Sequence, residues 1–364
     1  MLYSGFSIPI ITMEPLTISL KKQVLNQLTK IPKETLREIH VVLLPDFFVD
    51  HFLTLDEYEK TTTDMKQIVN QSGGNLPGIP QRIQQGGNAA NTALALARLG
   101  IKTHLICRTD PLGAYILEFF LGKHGVDLTH VKTDGKLAIT TAMEFGKNHV
   151  NVMIGDSGSV ADFSFDTLDE QDLSLIESSD LVGVVNWTLN RKGTPLAHDV
   201  FTYAKKHNKK TFFDSGDPTL RKNEITELQQ TILTTKELDT FGLNENELRQ
   251  YSGCTIASTK ETLLDAACLL KKQMHARIDL HTANFSCTVT DSCTVVPTIQ
   301  IPSIKRTTGA GDAWNAGDIF ADLLGFHDEE RLMFANTVAA WYISSPDSLH
   351  PTLSDLIAFL QKQI

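Results

Sequence analysis

The sequence predicts an α/β fold, a three-layer α/β/α sandwich in which a mostly parallel central sheet lies between two layers of helices. From residue 180 onward, apolar runs of strand length alternate with helical segments, which is typical of a parallel sheet with helices on both faces. Val41 to Leu44 is continuously apolar, as expected for a strand buried on both faces. With 364 residues, 41% of them hydrophobic, the chain can form one large domain or two modest ones.

Charge and hydropathy argue against several classes of partner. The formal net charge is −10 and no run of Lys or Arg stands out, which disfavours a surface for nucleic acid. No apolar run approaches the ~18–20 residues of a membrane span, and residues 1–17 lack the basic start of a signal peptide. The five cysteines include no Cys-x-x-Cys, so we expect free thiols in a reducing cytoplasm.

Residues 1–39 are predicted to form a helical extension ahead of the main domain, which we place at residues 40–364. An apolar stripe that includes Val24 and Leu28 recurs at helical spacing in this extension, and Pro32 interrupts it. We expect the extension to pack onto the domain or onto a second subunit.

Asp50 is a candidate binding residue because it follows the apolar run from Val41 to Leu44. Ligands of open α/β sheets bind at the carboxyl ends of the strands, where a carboxylate can accept hydrogen bonds from hydroxyl groups. On local grounds alone, Asp50 is also compatible with an ordinary solvated loop residue.

A second candidate is the turn Gly86-Gly87, which leads into an alanine-rich helix that contains Asn91 and ends before Gly100. The two glycines leave room for a ligand to touch the backbone, and the small side chains allow the helix to pack closely on its sheet. A tight turn before a helix occurs in any α/β protein, so this feature is not specific by itself.

Two segments, 138–145 and 150–154, are predicted to form a hairpin around Gly146-Lys147-Asn148. In the second segment apolar and polar residues alternate. Such alternation is typical of a sheet with one covered face.

The most specific stretch is residues 307–312, Thr-Thr-Gly-Ala-Gly-Asp, a glycine-rich turn that leads into a helical segment. Unpaired N–H groups at a helix N-terminus and the helix dipole attract an anion such as a phosphate. The carboxylate of Asp312 would repel that anion unless it has a function. The function that fits is a general base for an alcohol that attacks a phosphoryl group, and the alternative is an ordinary Asp in the first turn of a helix.

Residues 307–312, together with Asn315-Ala316-Gly317, resemble the C-terminal signature of the ribokinase-like (PfkB-type) carbohydrate kinases. Residues 85–91 resemble the N-terminal signature of the same family. The resemblance covers residues 41 to 362 and implies a ribokinase-like fold. It also implies a small β-sheet lid over the sugar, formed by residues from about 51–85 and 137–156.

The resemblance assigns roles to both signatures. It implies that Asp312 is the catalytic base and that the backbone N–H groups of Gly309, Ala310 and Gly311 form an anion hole. The residues that would hold the sugar are Asp50, Gly86, Gly87 and Asn91.

The resemblance also implies ATP and Mg²⁺. Asn244 and Glu247 follow a predicted strand that ends at Leu243, and they match an Asn-x-x-Glu motif that organises Mg²⁺ and the phosphates, largely through water. The motif is short and would occur by chance in many proteins, so its position after a strand is what supports the assignment. The residues that would contact the nucleotide are Asn244, Glu247, Thr282, Thr308 and Asn336.

Three departures from the family pattern affect details of the site. Pro45 stands where the family usually has a glycine five residues before its substrate-binding Asp. Ala283 and Ser286 replace the glycines of a Gly-x-x-Gly near the nucleotide. Arg306 replaces an Asp that often precedes the C-terminal signature, so whether a monovalent cation binds nearby is left open.

We therefore expect a cytoplasmic, ATP-dependent sugar kinase that forms a homodimer through its lid. The alternatives are a nucleoside kinase of the same family and a sugar-binding regulatory protein without catalytic activity. A dinucleotide-dependent oxidoreductase is poorly supported, because Gly309, Gly311 and Gly317 miss the Gly-x-Gly-x-x-Gly spacing.

Overall fold

The computed structural model describes residues 13–146, 150–253, 257–346 and 349–364. Its strands are β1 (His40–Leu44), β2 (Phe48–Leu55), β3 (Gln81–Gly86), β4 (Lys102–Leu105), β5 (Cys107–Arg108), β6 (Val131–Lys132), β7 (Ala138–Phe145), β8 (Val150–Asp156), β9 (Leu181–Val185), β10 (Lys210–Asp214), β11 (Thr240–Asn244), β12 (Arg277–His281), β13 (Phe285–Val289) and β14 (Cys293–Pro297). Its helices are α1 (Met13–Leu28), α2 (Lys33–Glu38), α3 (Tyr58–Asn70), α4 (Asn88–Leu99), α5 (Pro111–Phe120), α6 (Glu170–Ser178), α7 (Gly193–Lys206), α8 (Ile225–Leu228), α9 (Glu245–Ser252), α10 (Lys260–Lys271), α11 (Ala310–Leu323), α12 (Asp328–Ser344) and α13 (Leu353–Gln363). None of these described helices is long and apolar enough to span a membrane.

The central sheet has the strand order β14-β13-β12-β11-β10-β9-β1-β4. Neighbouring strands from β12 to β4 are parallel, and β13 and β14 extend the sheet as an antiparallel hairpin at one edge. The carboxyl ends of β1, β9, β10, β11 and β12 therefore lie at the same edge, which we call the strand-end edge. The predicted, mostly parallel central sheet is confirmed.

Each face of the central sheet has its own hydrophobic core, because successive side chains of a strand point to opposite faces. In β1, Val41 and Leu43 belong to one core, whereas Val42 and Leu44 belong to the other. Helices α1, α2, α4, α5 and α11 to α13 cover the first core, and α6 to α10 cover the second. The three-layer α/β/α sandwich is thereby confirmed.

A second, smaller sheet has the strand order β3-β2-β7-β8. Strands β2 and β7 are parallel, and β3 and β8 pair antiparallel with them on the outer sides. Only Pro45, Asp46 and Phe47 separate β1 from β2, so this sheet is attached directly at the strand-end edge. The predicted small sheet is confirmed, while the turn residues Lys147 and Asn148 lie outside the described residues.

Helices α1 and α2 form the described part of the N-terminal extension, and Pro32 lies between them. Val24 and Leu28 of the predicted stripe are buried in the first core, which also contains side chains of α12 and α13. The extension therefore packs onto the helices at the C-terminal end of the chain. Its residues 1–12 lie outside the described residues.

Candidate active site

Two cavities open at the strand-end edge, on either side of the loop 307–311 that leads into α11. The lid-side cavity, of about 420 Å³, lies between this loop and the small sheet, and Asp50 and Asn91 line it. The second cavity, of about 530 Å³, is lined by Asn244 at the end of β11 and by residues of the helices that begin at Ala310 and Asp328. We call it the strand-end cavity. Thr307 lines both cavities, so the loop separates two compartments between which a group could be transferred.

The loop turns sharply at Gly309, which has a φ of +80° and immediately precedes α11. A Cβ at this position would lie 2.7 Å from the hydroxyl oxygen of Tyr342, so the available space also requires glycine. The N–H of Ala310 donates to the carbonyl of Thr307 over 3.1 Å, whereas those of Gly309 and Gly311 have no backbone partner among the described residues. Two of the three predicted anion-hole amides are therefore free to bind an anion.

Asp312 lies in the first turn of α11 and is only 7% exposed. Its Oδ2 accepts a hydrogen bond from the Nδ2 of Asn91 over 3.0 Å, which joins the predicted base to a predicted sugar-binding residue. Burial raises the pKa of Asp312 well above its usual range, and the nearby carboxylates of Asp214, Asp46 and Asp50 raise it further. A carboxylate with a raised pKa is a stronger proton acceptor.

Gly86 and Gly87 make room for two aspartates. A Cβ on Gly86 would lie 2.3 Å from Oδ2 of Asp50, and a Cβ on Gly87 would lie 3.0 Å from Oδ2 of Asp46. Gly87 also has a φ of +95°, which side chains other than glycine rarely adopt. The glycine pair is therefore explained by the approach of these carboxylates, independently of any contact with a ligand.

Asp46 is a component of the site that sequence reasoning did not single out. It is fully buried, and it accepts hydrogen bonds from the N–H groups of Asn88 and Ala89 and from Nδ2 of Asn186. Burial raises the pKa of Asp46 to about 6, although these bonds oppose the shift. Burial and the neighbouring Asp46 likewise raise the pKa of Asp50 to about 6. The available signal for Asp46 was its place just after the buried strand β1.

Asp214, the last residue of β10, is another component of the site, and the sequence indicated it only as a polar residue at the end of a strand. Its Oδ1 accepts from the N–H of Gly216 over 2.8 Å, and its Oδ2 accepts from Nδ2 of Asn315 over 2.6 Å. The other side-chain atom of Asn315, Oδ1, is buried without a hydrogen-bond partner among the described residues. Burial raises the pKa of Asp214, whose carboxylate in turn raises the pKa of Asp312 and Glu247.

Asn244 and Glu247 form a capping box at the N-terminus of α9. Oδ1 of Asn244 accepts from the N–H of Glu247, and Oε2 of Glu247 accepts from the N–H of Asn244. The spacing of the motif therefore has a local structural cause. The carboxylate is nevertheless only 3% exposed, and burial followed by repulsion from Asp214 raises the pKa of Glu247 well above its usual range.

The carboxylates of Asp214, Glu247 and Asp312 form an acidic cluster that suits a hard divalent cation. Burial raises the pKa of Glu247 and of Asp312, the charge of Asp214 raises both further, and a bound cation would relieve that repulsion. Oxygen donors are the ligands that Mg²⁺ prefers, and Mg²⁺ usually keeps several waters. Among the described residues, no three His, Cys, Asp or Glu side chains converge closely enough to hold a metal ion directly. The oxygen donors present are nevertheless of the kind that Mg²⁺ prefers.

The remaining residues that were predicted to contact the nucleotide line two different cavities. Thr282 and Asn336 line the strand-end cavity, but Thr282 Oγ1 donates to the carbonyl of Phe285, and Oδ1 of Asn336 accepts from Nε1 of Trp314. Both side chains therefore also stabilise the wall of the cavity. Thr308 lines the lid-side cavity.

The chain is similar to known proteins along most of its length. The model of a family described as pfkB family carbohydrate kinase matches residues 64–354. A 5-dehydro-2-deoxygluconokinase from Geobacillus thermodenitrificans is 27% identical over 305 residues, which cover 76% of this chain and 84% of the relative. A ribokinase from Haemophilus influenzae is 24% identical over 295 residues, which cover 79% of this chain and 91% of the relative.

Solved structures show the same fold. The ribokinase of Arabidopsis thaliana, complexed with ribose and ATP, aligns with a TM-score of 0.71 at 19% identity, over 89% of this chain and 99% of its own. The adenosine kinase of Sinorhizobium meliloti aligns with a TM-score of 0.71 at 18% identity, over 90% of this chain and all of its own.

Proposed function

The chain belongs to the pfkB family of carbohydrate kinases, and from that premise we propose that it is an ATP-dependent sugar kinase in which Asp312 is the general base. The observation that carries the proposal is the loop 307–311 between two cavities, with the carboxylate of Asp312 hydrogen-bonded to Asn91. A sugar in the lid-side cavity and ATP in the strand-end cavity would then meet at the free amides of Gly309 and Gly311.

The reaction follows from what these residues can do. Asp312 accepts the proton of the attacking sugar hydroxyl, and its raised pKa makes it a better acceptor than an ordinary carboxylate. The amides of Gly309 and Gly311, at the positive end of the α11 dipole, stabilise the charge on the transferring phosphoryl group. Phosphoryl transfer depends mainly on such positioning and electrostatic stabilisation.

On the sugar side, Asp50 and Asn91 would accept and donate hydrogen bonds to hydroxyl groups. Gly86 and Gly87 would act chiefly by letting Asp50 and Asp46 approach. The small sheet that carries Asp50 would cover the sugar and exclude water, which otherwise competes as acceptor of the phosphoryl group.

We propose that Mg²⁺ is required and that Glu247 holds it largely through water, with Asn244 fixing the carboxylate and Asp214 adding negative charge. When bound, the ion would neutralise charge on the ATP phosphates. The buried, mutually repelling carboxylates support this assignment.

We further propose a cytoplasmic homodimer that forms through the outer face of the small sheet. Side chains alternate across this sheet, and the face opposite Asp50 exposes apolar residues to a degree that is unusual for a solvated sheet. The exposed fractions are 58% for Ile83, 42% for Ile139, 47% for Val152 and 58% for Ile154.

In light scattering coupled to gel filtration, the double variant Val152→Lys/Ile154→Lys should be a monomer. Leu220→Lys, which removes an exposed apolar residue elsewhere, should remain a dimer.

The decisive experiment is a coupled ADP assay with a panel of sugars and nucleosides. We expect ADP production with at least one sugar and a phosphorylated sugar as the second product. Preferential turnover of nucleosides would instead indicate a nucleoside kinase. Sugar binding in calorimetry without any ADP production would indicate a regulatory protein. The family and the relatives named after sugar substrates favour the sugar kinase.

A further inference from the structure

Three cationic side chains line the lid-side cavity, and two of them have no carboxylate partner among the residues that the structure describes. Arg82 of β3 forms a bidentate ion pair with Glu144, with both N–O distances at 3.0 Å, and it lies over the ring of Phe52. Lys305 and Arg306, just before the loop, also line the cavity, and neither forms an ion pair among the described residues. We call these two residues the cationic wall.

Within the described part of the chain, the guanidinium group of Arg306 contacts uncharged groups. Its Nη2 donates to the carbonyl oxygens of Ser345 over 3.2 Å and Pro346 over 2.7 Å, just after the end of α12. Its Cζ lies 5.4 Å from the centre of the Tyr342 ring. Because carbonyl groups have no net charge, these contacts fix the cation at the cavity and leave its charge available. Such a positioned guanidinium group is well suited to bind a planar oxyanion.

The charge of the cationic wall is opposite in sign to the net charge of the molecule. The formal net charge of −10 produces a field that repels anions, whereas this pair of cations makes the cavity locally attractive to them. Arg306 also stands where the resemblance leads one to expect an Asp, which changes the local charge by two units. Arg306 is therefore a departure of this chain from the family pattern.

Two anions could use the wall, namely the transferring phosphoryl group or an anionic group of the acceptor. Lys305 and Arg306 line the lid-side cavity but not the strand-end cavity, where ATP is placed above. The cavity that they share with Asp50 and Asn91 is the one assigned to the acceptor. The location therefore favours an anionic group on the acceptor.

We propose that the acceptor is a sugar acid, whose carboxylate binds to Lys305 and Arg306 while Asp50 and Asn91 hold its hydroxyl groups. This inference rests on the proposed kinase function and narrows its substrate class. A sugar carboxylate is ionised at neutral pH, and its two oxygens match the donors of a guanidinium group.

The first test compares acids with their neutral counterparts, gluconate with glucose and ribonate with ribose. 5-Dehydro-2-deoxygluconate and 2-keto-3-deoxygluconate serve as further acids. We expect kcat/KM for the acid of a pair to exceed that for the neutral sugar by about 10-fold or more, since one such contact provides roughly a factor of ten. Calorimetry on the same pairs, without ATP, should show the same order of affinity. Equal or better use of the neutral sugars would refute the acid preference and leave the kinase function intact.

The second test substitutes the two residues of the cationic wall. Lys305→Ala and Arg306→Ala should each lower kcat/KM for acids by about 10-fold or more, while changing that for neutral sugars by less than about 3-fold. Arg306→Lys should retain part of the acid preference, which separates loss of charge from loosening of the segment after α12. Lys206→Ala, an exposed lysine of α7 in the opposite helix layer, should behave as wild type. Equal losses for acids and neutral sugars would mean that the wall acts on the phosphoryl group and that the inference is wrong.

Discussion

Asn91 donates a hydrogen bond to Asp312 over 3.0 Å, although 221 positions separate the two residues in the sequence. The bond joins the first turn of α4 to the first turn of α11. Two motifs that are each ambiguous on their own thereby become one site. An ordinary Asp in the first turn of a helix would be exposed at the surface. Asp312 is instead buried against a polar side chain of α4, a second helix that follows a glycine turn.

Asp312→Asn should abolish most of the turnover while leaving the sugar bound. An amide can still accept the hydrogen bond from Asn91 but cannot take a proton, so kcat should fall by ~10²–10⁴-fold. The coupled ADP assay measures the loss, and calorimetry should show little change in sugar affinity. Asp162→Asn, at a surface ion pair with Arg191, provides the control. Turnover of the Asp312 variant at the wild-type rate would remove the residue from the mechanism.

The pH profile should show an acid limb well above the range of ordinary carboxyl groups. The base must be ionised to act, and burial raises the pKa of Asp312, while the pKa of Asp50 is raised to about 6. As pH falls through this region the carboxylates gain protons, so kcat/KM should decline below about pH 6. Unperturbed carboxyl groups would place that decline near pH ~4. A profile that stays flat from pH 8 down to pH 5 contradicts the assignment.

Asp50→Asn should stabilise the protein at pH 8 while weakening sugar binding. The pKa of Asp50 is higher in the folded state than in the unfolded state, so the folded state binds the proton more tightly. Stability therefore falls as pH rises from about 4 to about 6. Removal of the charge should raise the free energy of unfolding by about 1–2 kcal/mol at pH 8, and by less at pH 5. Denaturant titrations at both pH values measure this, and a destabilised variant at pH 8 would contradict it.

Gly86→Ala should impair the sugar site more than the fold. The added Cβ would lie 2.3 Å from Oδ2 of Asp50, so the carboxylate must move, and displacements of about 1 Å can cost ~10²-fold in rate. Gly155→Ala is the matched control, because its Cβ would meet no atom within 4 Å. We expect kcat/KM to fall only for the first variant. Equal kinetics of the two variants would show that the position of Asp50 is unimportant.

Glu247→Gln should raise the Mg²⁺ concentration required for half-maximal activity by about 10-fold or more, since one negative charge near the ion is lost. Part of any effect could come from the capping box at α9. Glu330→Gln, which changes the corresponding residue of the capping box at α12, controls for that contribution and should leave the Mg²⁺ titration unchanged. An unshifted titration for Glu247→Gln would place the ion elsewhere.

The sequence predicted some parts of the structure correctly and left others without any signal. The hydrophobic pattern of β1 and the small-residue helix after Gly87 predicted buried elements correctly, because burial on a strand or helix leaves a periodic trace in the sequence. Asp46 and Asp214 leave no such trace. Asp46 follows β1 and Asp214 is the last residue of β10. Only the fold shows that the first is fully buried against Asn186 and that the second is buried against Asn315.

By itself, the sequence predicted the parallel sandwich and the helix that carries Asp312, since the patterns that indicate them lie in residues close together in the chain. The small sheet, in which β2 pairs with the distant β7, was predicted from the resemblance to a known family and from the hairpin pattern at 138–154. Tertiary structure decided which carboxylates approach one another, why Gly86 has no side chain, and which cations face the lid-side cavity. The physical reason is that charge, desolvation and close contact act through space. Packing of distant segments sets the distances on which these effects depend, and local sequence patterns do not encode them.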